Sequence, residues 1–203
     1  MTPHLLVNEQ ATVDAIKREF VWLKRQMTSR DVAVIFLSGH GDKESASSYD
    51  FLPYDADKDN PELTYFHGHD IKYLLGDMAG LKLLFVDSCF SGNVFNEEGT
   101  KGDEEVANQD DLANQLSTPG SGTVVFTSSQ GKELSREDEK WGHGAFSLAL
   151  LEGLQGRADH PDIHISQLDA YIEGRVKELT LNRQRPTMVR PPGMTNVPIA
   201  RAN

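Results

Sequence analysis

The sequence predicts an α/β fold in which helices cover both faces of a mostly parallel sheet. Three nearly continuous apolar runs, rich in β-branched and aromatic residues, have the length and composition of strands buried on both faces. They occupy residues 32–37, 81–86 and 123–127. Amphipathic helical patterns lie between and after these runs. Strands that alternate with such helices are typical of layered α/β domains.

Four segments have apolar residues at steps of three and four, the spacing of an amphipathic helix. In chain order these residues are Val13, Ile16, Phe20, Leu23 and Met27; Ile71, Leu74, Leu75 and Met78; Phe146, Ala149, Leu150 and Leu154; and Leu168, Ile172, Val176 and Leu179. Ser166-Gln167-Leu168-Asp169 predicts a capping box at the start of the last helix. Residues 93–122 are acidic, polar and glycine-rich without strong periodicity, which predicts a long surface loop.

Composition excludes several classes of function. The chain has 203 residues, enough for one domain with a full core, and a net charge of −11, which argues against binding a phosphate backbone. No apolar run approaches the roughly 18 residues of a membrane span, and no signal peptide opens the sequence. The single cysteine excludes an internal disulfide and a cysteine-based zinc cluster. We therefore expect a cytoplasmic protein that binds neither nucleic acid nor membrane.

Two of the apolar runs lead directly into short polar motifs. Ser38-Gly39-His40-Gly41 follows the first run and Asp87-Ser88-Cys89-Phe90-Ser91-Gly92 follows the second. Ligands of open α/β sheets bind beyond the carboxyl ends of the strands, so neighbouring parallel strands would bring His40 and Cys89 to one edge. A lone Cys is often a small core residue, and a lone His often bonds locally within a loop. Their joint placement favours a catalytic pair, because a nearby His activates a thiolate.

These motifs resemble the histidine and cysteine motifs of the caspase/metacaspase family, in particular its bacterial orthocaspase- and metacaspase-like members (peptidase C14). The separation of 89 − 40 = 49 residues matches the roughly 50 typical of caspases. Three further segments resemble other parts of the family domain: 51–57, 142–147 and the helix from Ser166.

The resemblance implies a three-layer αβα sandwich that fills residues 1–203. It divides the chain into a large-subunit-like part (1–92), an acidic linker loop (93–122) and a small-subunit-like part (123–203). Residues 1–10 resemble the family's second strand, so the usual first strand has no counterpart in this sequence. That absence would leave part of the sheet exposed. We expect one of two explanations: either the sequence is a truncated or processed chain, or a separate amino-terminal fragment is a partner that completes the sheet.

The resemblance also implies a cysteine endopeptidase that works through an acyl-enzyme. Cys89 would be the nucleophile, His40 would transfer the protons, and the backbone amides of Gly41 and Cys89 would form the oxyanion hole. No metal is required for this chemistry. Some metacaspases bind calcium through carboxylates, and Asp50 and Asp70 fall near two of those positions. The set is incomplete, because Asn96 stands where a further Asp is expected.

Specificity for Arg or Lys at the cleaved position is implied by Asp87, which replaces the glutamine of caspases that cut after aspartate. Ser38 matches a second position of the S1 pocket. A turn residue at a strand end is the other interpretation of Asp87. A basic specificity makes Lys101 the candidate self-cleavage position, because it is the only Lys or Arg in residues 93–122.

Two other functions are compatible with the sequence. A caspase-like fold that has lost catalysis could serve as a scaffold or regulatory interaction module, and a Cys–His pair could hydrolyse an amide other than a peptide bond. Five more histidines, His67, His69, His143, His160 and His164, do not form a metal-ligand pattern, and we expect surface or capping roles for them.

Overall fold

The computed structural model describes residues 3–42, 49–90, 109–130, 135–157 and 162–201. At Cys89 and Phe90 this description covers the backbone. Among the described residues, no helix combines the length and the apolar character that crossing a bilayer requires.

A six-stranded mixed sheet forms the centre of the molecule, in the order β3-β2-β1-β4-β5-β9. Its members are β1 (Val32–Asp42), β2 (Asp50–Leu52), β3 (Phe66–His67), β4 (Leu81–Phe90), β5 (Thr123–Thr127) and β9 (Thr187–Val189). The three predicted apolar runs are β1, β4 and β5, and these strands pair in parallel. The prediction of strands from continuous apolar character is confirmed.

The edges of the sheet correct the expectation of a mostly parallel arrangement. β2 and β3 add antiparallel strands on one side, and β9 adds one on the other. These strands have only two or three residues each. Segments this short carry no periodic signal, so their pairing is determined by contacts with strands distant in sequence.

Helices pack on both faces of the sheet, as predicted. α1 (Val13–Gln26), α3 (Gly68–Gly76) and α4 (Gln109–Leu116) contribute to one hydrophobic cluster. α5 (Ala145–Glu152) and α6 (Ile165–Thr180) contribute to a second cluster. Alternate strand residues divide between the clusters: Leu84 and Val86 belong to the first, and Leu83 and Phe85 to the second. This alternation places the clusters on opposite faces of the sheet.

The remaining elements are short. They are α2 (Pro61–Thr64), a hairpin of β6 (Glu137–Asp138) with β7 (His143–Gly144), and a two-stranded sheet of β8 (Asp162–His164) with β10 (Pro198–Arg201). A 3-10 turn covers Asn8–Gln10, and a π-helical turn, Gly153–Arg157, follows α5.

The structure corrects three local predictions. Residues 3–7 form no strand, and a strand needs a hydrogen-bonded neighbour that this segment lacks in the described part of the chain. The predicted loop over residues 93–122 contains α4, which forms because Leu112, Ala113 and Leu116 bury one side of a two-turn helix. The capping box of α6 uses His164 and Gln167 rather than Ser166, because β8 leads directly into Ile165, which is fully buried.

Among the described residues, one edge of β1 has no strand partner over most of its length. β4 pairs with the whole segment from Val32 to Gly41, whereas on the other side β2 pairs only with residues 40–42. On the face of the second cluster, Val32, Val34 and Phe36 remain 41%, 45% and 45% exposed. We call residues 32–39 the open edge of β1.

Candidate active site

His40 and Cys89 lie side by side in the sheet. They are register partners in the parallel pairing of β1 with β4, so their backbones are about 5 Å apart. The first motif lies within β1, and the second lies within β4 as far as Phe90, because the pairing of the two strands continues to Gly41 and Phe90. The His40 side chain is exposed. The side chain of Cys89 lies outside the described residues, and so does Lys101, whose self-cleavage stays a prediction.

The glycines that flank His40 have different surroundings. Gly41, the proposed oxyanion-hole residue, is buried and has register partners on both sides, Phe51 and Phe90. Gly39 leaves room for an aromatic ring, because a Cβ there would lie 3.0 Å from the Cζ atom of Phe51. The absence of a side chain at Gly39 therefore has a packing reason.

The Asp87 carboxylate is buried and held by two serine hydroxyls. Ser135 donates to Oδ1 over 2.7 Å, and Ser147, in the first turn of α5, donates to Oδ2 over 2.5 Å. A Cβ on Gly144 would lie 3.0 Å from the same Oδ2, so the backbone of β7 approaches the carboxylate closely. Asp87 and the other proposed S1 residue, Ser38, are register partners.

No sequence pattern predicts a role for Ser135, Ser147 or Gly144. Gly144 and Ser147 belong to a segment, 142–147, that already resembled the family domain. The resemblance of this segment to the family was the only feature of the sequence that indicated its importance. The sequence does not show that these residues contact Asp87, which lies about 60 positions earlier.

A hollow of about 880 Å³ adjoins these residues, and we call it the β1–α5 hollow. Its floor is apolar and includes Phe36 and Leu150, whereas Ser38 and Ser147 lie among its polar lining residues. Three consecutive acids of the β6–β7 region, residues 137–139, also line it. The hollow therefore offers an apolar surface beside several carboxylates, a combination suited to a long basic side chain.

Ser88 connects the cysteine strand to the segment before β2. Its Oγ lies 3.0 Å from the phenol oxygen of Tyr49, and both side chains are buried. The Ser128 hydroxyl donates to the Ser88 carbonyl over 3.4 Å. Ser88 is thus contacted by side chains from two separate parts of the chain.

Asp50 and His67 form a buried hydrogen-bonded pair between β2 and β3. Asp50 Oδ1 lies 2.9 Å from His67 Nδ1, and the two side chains are 1% and 6% exposed. The expected surface role of His67 is therefore wrong, because β2 and β3 pair at these two residues. The ring of His67 also stacks on that of His69 at 5.0 Å.

The two calcium candidates have different side-chain partners. Asp50 is engaged by His67, while Asp70 in α3 forms an ion pair with Lys17 at 2.8 Å. Within the described ranges, no group of three or more His, Cys, Asp or Glu side chains is arranged to hold a metal ion. Calcium binding at Asp50 and Asp70 stays a prediction, since calcium takes six to eight oxygen ligands and the described side chains form no such group.

Comparison with known proteins supports the fold. The structure resembles that of GSU0716, a protein from Geobacter sulfurreducens, with a TM-score of 0.64 at 15% sequence identity. The match covers 98% of this chain and 82% of the other. The search of curated proteins gives no match. The model of the caspase domain matches residues 4–193. The chain therefore belongs to the caspase-domain family, peptidase C14.

Proposed function

We propose that the protein is a cysteine endopeptidase that cleaves peptide bonds after Arg or Lys. The observation that carries the proposal is the register of β1 and β4, in which His40 is paired with Cys89. Membership of the caspase-domain family makes peptide hydrolysis the expected use of such a pair.

The proposed reaction has two steps. His40 takes the thiol proton of Cys89, and the thiolate attacks the carbonyl carbon of the substrate. The C–N bond then breaks, His40 protonates the leaving amine, and an acyl-enzyme remains. In the second step His40 takes a proton from water, which attacks the thioester, and the new carboxylic acid leaves as the thiol is restored. The backbone amides of Gly41 and Cys89 would bind the oxyanion of each step.

Specificity would come from Asp87. Its carboxylate is held in place by Ser135 and Ser147 and lies next to Ser38 in the sheet. An ionised carboxylate has about four acceptor sites, so two remain for a guanidinium or ammonium group. The acids that line the β1–α5 hollow add to the attraction for a basic side chain and repel an acidic one.

Fluorogenic peptides that differ only in Arg, Lys or Asp before the cleaved bond test the proposal. We expect turnover of the Arg and Lys peptides, with a loss of at least about 10³-fold in Cys89→Ala and His40→Ala. His69→Ala, which removes an exposed histidine outside the site, is the matched control. Turnover like that of the wild type in either variant would remove the Cys–His assignment.

A second candidate function is favoured by the open edge of β1. An unpaired strand edge with apolar side chains is a template for another strand, and a regulatory module or scaffold could work by accepting one. We propose that the partner supplies an apolar strand with basic flanking residues. The acids at 137–139 and Glu19 line the hollows on the two sides of this edge. A second copy of this chain, with a net charge of −11, would bring like charges together.

A further inference from the structure

A contact between the side chains of Tyr49 and Ser88 joins the segment before β2 to β4, the strand of Cys89. It immediately precedes β2, whose Leu52 is the register partner of His40. Its phenol contacts Ser88, the residue before Cys89. Because β1 lies between β2 and β4, the contact between Tyr49 and Ser88 links the two strands that flank His40.

Both ends of Tyr49 are fixed. Its carbonyl accepts a hydrogen bond of 2.7 Å from the amide of Gly68, the first residue of α3. A Cβ on Gly68 would lie 2.7 Å from that oxygen, so this close approach needs glycine. With the backbone held by α3 and only 2% of the residue exposed, the phenol has little freedom to leave Ser88.

The backbone of Ser88 is held from its other side by β5 and the chain that follows it. The amide of Ser128 donates to the Val86 carbonyl over 2.9 Å, and its hydroxyl contacts the Ser88 carbonyl. The Ser128 carbonyl in turn accepts from Gln184 Nε2 over 2.8 Å. These contacts orient the strand end from one direction, and Tyr49 contacts the side chain of Ser88 from another.

The surroundings of the Tyr49 hydroxyl favour its neutral form. Burial raises its pKa, the contact with Ser88 opposes this, and the carboxylates of Asp50 and Asp87 raise it further. A neutral phenol can donate a hydrogen bond or accept one, so the link to Ser88 persists across the working range of a cysteine peptidase.

We infer that Tyr49 is a positioning residue for the proposed reaction, because through Ser88 it sets the position of Cys89 relative to His40. The inference rests on the proposed function, in which these two residues form the catalytic pair. Displacing a catalytic group by about 1 Å can slow a reaction about a hundredfold. A hydrogen bond to the residue before the nucleophile can therefore change the rate of the reaction.

The single cysteine of the chain allows a direct test, because alkylation by iodoacetamide then reports on Cys89 alone. The rate is measured from pH 5 to 9 in the wild type, Tyr49→Phe and Ser88→Ala. We expect both variants to shift the pH profile and to alkylate about tenfold more slowly near pH 7, because the thiolate is less well placed against His40. The double variant should lose no more than either single variant.

A matched control separates positioning from a general loss of stability. Tyr171→Phe also removes a tyrosine hydroxyl hydrogen-bonded to a side chain, that of Glu152 at 3.1 Å, in the α5–α6 layer. It should leave the alkylation profile unchanged. In the peptidase assay Tyr49→Phe should lower kcat about tenfold with KM within about twofold.

An alkylation profile of Tyr49→Phe identical to that of the wild type would overturn the inference. So would a change in Tyr49→Phe that is absent in Ser88→Ala, because the effect would then not pass through Ser88. Far-UV circular dichroism confirms that each variant is folded at the assay temperature. Failure of the peptidase proposal is a different result, since a chain without turnover can still show an alkylation profile that depends on Tyr49.

Discussion

At the scale of single residues, Asp87 combines structural and proposed functional roles. Its carboxylate is buried and joins β4 to the segment before β6 and to α5, through Ser135 and Ser147. The strand-end turn interpretation of Asp87 accounts for neither contact. A carboxylate oriented by two hydroxyls, with acceptor sites remaining, is the arrangement that a selective site for a basic group needs.

Asp87→Gln should abolish the preference for basic residues. The glutamine side chain is one methylene longer and loses the charge that pairs with Arg or Lys. We expect kcat/KM for the Arg peptide to fall about a hundredfold and the ratio of Arg to Asp turnover to collapse. Asp59→Asn, at an exposed acid in the loop before α2 and outside the hollow, serves as the control and should change this ratio only slightly. An unchanged ratio in Asp87→Gln would contradict the specificity proposal.

Asp169 makes stability depend on pH. Burial and the nearby Glu173 raise its pKa to about 6, although Arg190 opposes the shift. Since the pKa is raised in the folded state, the contribution of Asp169 to the stability of the fold is most favourable below pH 3.8. This contribution is lost as the pH rises through 6. Asp169→Asn should therefore stabilise the protein at pH 7 by about 1 kcal/mol, a value reduced for partial exposure, and by much less at pH 4.

Urea unfolding at both pH values measures this difference. Asp59→Asn, which removes an exposed acid from the loop before α2, should give nearly equal small changes at the two pH values. An Asp169→Asn variant that is no more stable than the wild type at pH 7 would contradict the assigned cause.

At the scale of elements, the apolar runs predicted the location of β1, β4 and β5 but not the extent of the first two. β1 continues through Ser38–Asp42 and β4 through Asp87–Phe90, although glycine and polar residues normally end strands. The backbones of the two strands pair with each other there, and this mutual pairing outweighs the low strand propensity of the motifs.

The rest of the site could not be predicted, because its contacts join segments far apart in sequence. Ser147 reaches Asp87 across 60 residues and Tyr49 reaches Ser88 across 39. Both follow from the order of strands in the sheet, which no local pattern specifies. The burial of His67 has the same origin, since it depends on a two-residue strand.

Lys82 joins two turns at the start of β4 and β5. It is only 2% exposed, and its ammonium group donates to the carbonyls of Met78, Gly80 and Ser121 at 2.8, 3.2 and 2.6 Å. Burial lowers its pKa. Because these carbonyls lose their donor in Lys82→Met, we expect a loss of about 2–4 kcal/mol in the free energy of unfolding.

Lys24→Met is the matched control for that measurement. It removes a lysine from an exposed ion pair with Asp77 and should cost less than about 1 kcal/mol. Equal losses in the two variants, measured by chemical denaturation, would show that the buried lysine has no special role in joining the turns.

At the scale of the whole molecule, the open edge of β1 lies between two hollows. The β1–α5 hollow is on one face of the sheet, and a smaller one of about 210 Å³, lined by Trp22 and Leu23, is on the other. Val34 and Phe36 line both. A strand added at this edge would therefore be covered on both faces, which requires apolar residues along its whole length.

A synthetic peptide tests this surface. Eight alternating Val and Ile residues with two lysines at each end should bind, and should protect backbone amides of residues 32–39 from hydrogen exchange. The same peptide with proline at alternate positions cannot form the hydrogen bonds and should not protect them. Phe36→Lys should weaken binding about tenfold or more, whereas Leu63→Lys, at an apolar residue that is 76% exposed elsewhere, should not.

Two results would contradict the partner proposal. One is the absence of protection at millimolar peptide. The other is concentration-dependent dimerisation in analytical ultracentrifugation that Phe36→Lys abolishes, because the edge would then pair with a second copy. Peptidase activity that appears only with the peptide bound would support both candidate functions, because strand binding at the open edge would then activate the peptidase.

The pairing of β1 with β4 also constrains how the sequence can change. It runs without a break over ten register pairs, from Val32 with Leu81 to Gly41 with Phe90. His40 stands eight residues after Val32, and Cys89 eight residues after Leu81. Inserting or deleting one residue in either strand would turn the following side chains to the opposite face. Loops between the strands can change in length without this effect, so the 49-residue separation of His40 and Cys89 can vary among homologues. The position of each residue, eight residues after the start of its strand, is therefore the better feature for recognising distant homologues.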